Sequence, residues 1–228
     1  MAETSIVFAL FDGVTQLDFT GPHQVLARMP GARLRVATAR GGTVEADGLC
    51  FSGLARLADI AACDVLCVPG GFGTSAAMAD EEFMGQIRRL AGSARYVTSV
   101  CTGSLILGAA GLLKGRRAAC HWTSRSLLAQ FGAIPDDARV VRDGNIITGG
   151  GVTAGIDFAL TLAAEIAGPE AAQAIQLMLE YAPAPPFEAG TPRTAPAEVL
   201  ARVQRLGKSA AEARRAAVVA AAARLPSN

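Results

Sequence analysis

Histidine is nearly missing from this chain of 228 residues: there are only His23 and His121, beside one tryptophan and two tyrosines. Cys63 and Cys67 stand at a spacing that matches no common zinc pattern, so no metal site is expected. Charge of one sign is lacking too. Twenty-one basic against twenty acidic residues give a formal net charge of +1, too weak a field to point to nucleic acid, a membrane surface or a polyanionic substrate. No apolar run reaches the roughly 18 to 20 residues that span a bilayer, and the alanine-rich tail is interrupted by arginines. Met1 to Ser5 carry no basic stretch ahead of an apolar one, and the five cysteines are odd in number, so the expectation is a reduced, cytoplasmic protein.

What is present is apolar and alternates in period. Half of the composition is hydrophobic, enough for a full core in one α/β domain. Ser5 to Phe11 is a continuous apolar run closed by Asp12-Gly13, the pattern of a strand buried on both faces. Asp18 to Pro22 supplies capping side chains and a proline near a first helical turn. A strand at about 33 to 39, a hairpin at about 43 to 51, a helical piece at about 54 to 62 and a buried strand Asp64–Val68 follow. The alternation is βαβ-like and predicts a mostly parallel sheet.

The stretch of greatest chemical interest is Tyr96 to Leu105. A β-rich run ends at Cys101, and a helical apolar pattern starts at once after Thr102 and Gly103. This places the cysteine on a strand-to-helix elbow, its side chain exposed at the carboxyl end of a sheet strand and facing the amides that open the next helix. Such an environment lowers a thiol pKa, so a cysteine nucleophile is expected. Downstream, a helix near 124 to 131, strands at about 138 to 142 and 145 to 148, and helices at 156 to 166 and 169 to 181 complete the domain over residues 1–182. Residues 183–228 read as a proline-rich linker and a final helix, about 197 to 223, docked on the domain or on a partner subunit.

Four motifs in order carry a resemblance: Asp18-Phe-Thr-Gly-Pro22, Pro69-Gly-Gly-Phe-Gly73, Ser99-Val-Cys-Thr-Gly-Ser104 and Gly149-Gly-Gly-Val-Thr-Ala-Gly-Ile-Asp157. Together they resemble the ThiJ/PfpI superfamily and, within it, the branch that hydrates isonitriles. The match covers roughly residues 4 to 182, and the branch is marked chiefly by Asp18 and Cys101-Thr102. The resemblance implies a flavodoxin-like three-layer sandwich, Cys101 as nucleophile, Asp18 as its acidic partner and Thr102 beside the sulfur. It further implies substrate-facing amides at Gly70 and Gly71, no cofactor and a homodimer. Protease-like members place a histidine directly after the cysteine, and here that position is Thr102. The distant His-x-Glu pair of the amidotransferases is absent as well.

The implied substrate is a small isonitrile, hydrated to an N-substituted formamide. A soft thiolate suits its divalent carbon, and a protonated carboxyl at Asp18 suits the nitrogen side, on condition that burial or the thiolate raises the aspartate from its ordinary value. Other readings keep the same cysteine: glyoxalase- or deglycase-like hydration of reactive carbonyls, or a non-enzymatic ligand or redox sensor. A sensor joined to a DNA-binding half is disfavoured, because the residues after Tyr181 are too few for two helix-turn-helix units. Gly71 to Ala76 and Gly149 to Ala154 fit a dinucleotide pattern, but neither follows the first strand, so turn formation explains them better.

Overall fold

The computed structural model describes residues 3–226. Its elements, in chain order, are β1 (Thr4–Ala9), α1 (Gln16–Leu26), β2 (Ala32–Thr38), β3 (Gly42–Ala46), β4 (Leu49–Arg56), β5 (Val65–Val68), α2 (Thr74–Ala79) and α3 (Glu81–Ser93). Then come β6 (Tyr96–Val100), α4 (Gly103–Ala109), β7 (Arg117–Ala118), β8 (Ile134–Pro135), β9 (Val140–Asp143) and β10 (Ile146–Gly149). Three helices end the chain: α5 (Ala154–Ala167), α6 (Pro169–Met178) and α7 (Ala197–Ala222). Short 3₁₀ turns cover Leu57–Asp59 and Arg125–Phe131.

Eight strands form one sheet in the order β3-β4-β2-β1-β5-β6-β10-β9, parallel except for the β3–β4 and β9–β10 pairs at its two edges. β5 and β6 are buried along their whole length because helices cover both faces, which is why they read as unbroken apolar runs. α1, α5 and α6 pack together as one layer, and α2, α3, α4 and α7 as the other. This is the α/β sandwich of three layers with a mostly parallel sheet that the sequence predicts. From β1 the chain crosses to β2 on one side, and from β5 to β6 on the other. The reversal between β1 and β5 makes a crevice at the carboxyl ends of the strands, where ligands of open α/β sheets bind.

Two local expectations change. Residues 54–56, predicted as helix, extend β4 between β3 and β2, and only Leu57–Asp59 turn helically. Nothing in the residue pattern predicts α2; its six residues follow the glycine turn directly and are too few to show a period.

Candidate active site

Cys101 sits between β6 and α4 with a φ of 58°, a left-handed conformation that ordinary side chains rarely adopt. Its amide donates to the Gly149 carbonyl at 3.0 Å, which continues the β6–β10 ladder to the elbow itself. Strain of this kind costs on the order of 1–3 kcal/mol and persists only where the surroundings enforce it. Here the enforcing contact is close: a Cβ on Gly103 would collide with the Val68 and Pro69 carbonyl oxygens, so the start of α4 lies against the end of β5.

Asp18 enters from α1, after β1, and is 1% exposed. Its Oδ2 accepts from the Gly70 amide at 3.0 Å, while Oδ1 is buried without a regular hydrogen-bond partner. The Cys101 thiol stands beside this carboxyl, near enough that each group alters the ionisation of the other. Burial lifts Asp18 from the ordinary 3.8 to about 7; the Gly70 amide and the thiol oppose that rise, and the charge of Asp47 adds to it. Cys101, 5% exposed, is also pushed well above the usual thiol range. Burial is the main cause, followed by the charges of Asp18 and Cys120, and only the Thr102 backbone N–H acts to lower it.

The acidified, exposed thiol expected from the elbow is therefore corrected. α4 has seven residues, and the field of its first amides is outweighed by the cost of placing charge in a dry pocket beside a carboxyl. The two groups behave as one coupled acid.

Thr102 lies next to the sulfur, yet its hydroxyl serves the scaffold. Oγ1 accepts from the Gly71 amide at 2.9 Å and lies 2.8 Å from Thr74 Oγ1, which in turn reaches the Gly71 carbonyl at 2.8 Å. The amides of Gly70 and Gly71 thus both have protein partners, Asp18 and Thr102, rather than pointing free into the pocket. Gly70 is confined by close approach, since a Cβ there would run into Thr102 N and Oγ1. Thr74 carries no sequence signal beyond following a glycine turn.

A cavity of about 880 Å³ opens over Cys101 and Thr102. Gly71, Phe72, His121, Trp122 and Val152 line one part of it, and α7 supplies another wall through residues from Val203 to Arg215. His121 Nδ1 lies 2.8 Å from Thr123 Oγ1, and burial, aided by the Arg214 charge, lowers its pKa and keeps the ring neutral near pH 7. The wall from α7 is not legible in the sequence, where that helix reads only as a docking segment. Among the described residues no group of histidine, cysteine or carboxylate side chains could hold a metal ion, and no helix is long and apolar enough to cross a membrane.

A mostly parallel sheet with a strained cysteine at the end of β6, backed by a buried carboxyl from α1, defines a three-layer α/β protein with a thiol site. The DJ-1/PfpI family model matches residues 4–165, and this chain belongs to that family. Isonitrile hydratase from Pseudomonas putida is 54% identical over 196 residues, 86% of this chain and 86% of the relative. A ThiJ/PfpI family protein from Pseudomonas syringae superposes with a TM-score of 0.93 at 43% identity, covering 96% of this chain and 91% of that one. Drosophila melanogaster DJ-1beta gives a TM-score of 0.71 at 28% identity, over 79% of this chain and all of its own.

Proposed function

We propose that this chain is an isonitrile hydratase, converting an isonitrile and water to an N-substituted formamide. The observation that carries the reading is the Asp18–Cys101 pair, in a chain 54% identical to a hydratase along most of both lengths. Above about pH 7 the pair holds one proton. Transfer of that proton from Sγ to the Asp18 carboxyl creates a thiolate and a neutral acid side by side without changing the net charge of the pocket. The thiolate adds to the terminal isonitrile carbon, and the electron pair left on that carbon takes the Asp18 proton to form its C–H bond. The product of this half is a thioimidate on Cys101. Water then loses a proton to the Asp18 carboxylate as it attacks the same carbon, Asp18 passes that proton to the nitrogen, and as the hydroxyl proton returns to Asp18 the tetrahedral adduct expels the thiolate and releases the formamide.

In this mechanism the Thr102 backbone N–H stabilises the sulfur's charge, and the Thr102 hydroxyl fixes the turn that carries Gly71 against the substrate. Gly70 holds Asp18 in place through its amide. No cofactor is required, since every proton transfer is assigned to Asp18. A cytoplasmic setting agrees with five free cysteines. A homodimer agrees with the exposed Leu177, Met178 and Phe187 on α6 and the following linker, and light scattering should give twice the chain mass.

The test is incubation of the purified protein with cyclohexyl isocyanide and, separately, with methylglyoxal. Formation of N-cyclohexylformamide is expected. Turnover of methylglyoxal alone would replace this reading with carbonyl hydration at the same cysteine.

A further inference from the structure

The charged groups around the cavity are Asp47, Lys208, Glu212, Arg214 and Arg215. Asp47 is engaged by the Gln16 amide at 3.1 Å, where it caps α1, and Lys208 faces Glu212 at 4.0 Å along α7. Arg214 differs from these. Its Nη1 is held by Ser124 Oγ at 3.2 Å, its Nε is buried without a partner, and among the described residues no carboxylate lies within ion-pair distance. Arg214 lines the same cavity as Cys101 and His121, and its charge acts on His121 and Cys120. A fixed, unpaired cation beside a buried cysteine is costly unless something anionic meets it.

The cavity also exceeds what the isonitrile group needs. Its volume of about 880 Å³ lies in the upper part of the roughly 300–1,000 Å³ range of ligand pockets, so a sizeable substituent fits between Cys101 and α7. We propose that Arg214 is a specificity-determining residue and that the preferred substrates are isonitriles whose substituent ends in a carboxylate. The guanidinium binds the anion while the isonitrile carbon rests at Cys101 Sγ. This rests on the hydratase reading and names its substrate class. Arg215 on the same wall adds attraction, which offsets the single negative charge that the Asp18–Cys101 pair carries in its active form.

The experiment compares 4-isocyanobenzoate with its methyl ester in the native protein and in Arg214→Met and Arg214→Lys, each checked for folding by thermal melting. The native protein should favour the carboxylate by about tenfold or more in kcat/KM. Arg214→Met should lower the acid-to-ester ratio by about tenfold, mainly through KM of the acid, and Arg214→Lys should restore part of it. An unchanged ratio in Arg214→Met, or a native preference for the ester, overturns the proposal. If neither isonitrile is hydrated the hydratase reading falls, and protection of Cys101 from iodoacetamide by 4-formamidobenzoate still decides. Shielding in the native protein that is lost in Arg214→Met supports the anion site, and equal shielding or none contradicts it.

Discussion

A buried carboxyl that is easier to protonate in the folded chain than in the unfolded one links ionisation at Asp18 to stability. Its pKa rises from 3.8 to about 7, so between these values the folded state binds more protons and stability falls as pH rises. The contribution present at low pH, at most roughly 4 kcal/mol, is lost as pH passes through about 7. Asp18→Asn removes the ionisation while leaving an oxygen for the Gly70 amide. Its melting temperature should therefore exceed that of the native protein by several degrees at pH 8, and the gain should shrink towards pH 5. A gain independent of pH would mean that Asp18 is ionised at little cost. The same substitution should reduce isonitrile turnover by at least about a hundredfold, since acid and base are lost together. None of this ionisation is legible from residue order. Asp18 is identified through its motif, but the burial that sets its pKa comes from α1 and the turn after β5 folding over it.

At the scale of elements, the site is a set of turns at the carboxyl ends of β1, β5, β6 and β10. Those strands are legible because burial on both faces leaves apolar runs with glycine turns after them, as in Val65–Val68 followed by Pro69-Gly70-Gly71. The contact between two of these turns is not legible, because it depends on how far β5 and β6 advance beside each other. Gly70→Ala tests that contact. Its methyl group would meet Thr102 N and Oγ1, and relieving the clash would move the Cys101 turn or the amide that holds Asp18. We expect a loss of about 1–3 kcal/mol in stability by denaturant titration and a larger proportional loss in kcat than in KM. Thr102→Val should act in the same direction, since the Gly71 amide would lose its acceptor and Thr74 its hydroxyl partner. Residues 54–56, expected as the start of a helical piece, have a simpler reason: their mixed apolar and polar pattern suits a surface helix as well as a strand, and pairing with Gly42 of β3 and with Ala37 and Thr38 of β2 decides for the strand.

For the whole molecule, the unexpected feature is that the tail completes the pocket. α7 has few large apolar side chains, and only Val218 and Ala221 are buried, which explains why its role cannot be read from periodicity alone. Its far end is fixed by those two residues and by Arg224, which donates to the Met78 carbonyl at 2.9 Å, so that the preceding turns reach over Cys101. The Arg193–Asp137 ion pair ties the linker down before the helix begins. Val218→Asp would place a charge among buried groups and should release this end of α7. The expected result is a raised KM for isonitriles and faster amide exchange across Ala197–Ala222, with exchange in β1, β5 and β6 unaltered. Slowed or unchanged exchange in α7 would contradict the anchoring role.

The thiol and carboxyl acting as one unit is the centre of the account, and the pH dependence of kcat/KM for cyclohexyl isocyanide, measured from about pH 5 to about pH 9, tests it most directly. Below the Asp18 transition both groups carry protons and no thiolate forms. Once the pair has lost one proton, the thiolate and neutral acid become accessible by internal transfer. kcat/KM should rise through a pKa of about 7 to a plateau, with no turnover at any pH in Cys101→Ala. A flat profile, a rise that appears only near the ordinary thiol pKa, or full activity in Cys101→Ala would contradict it.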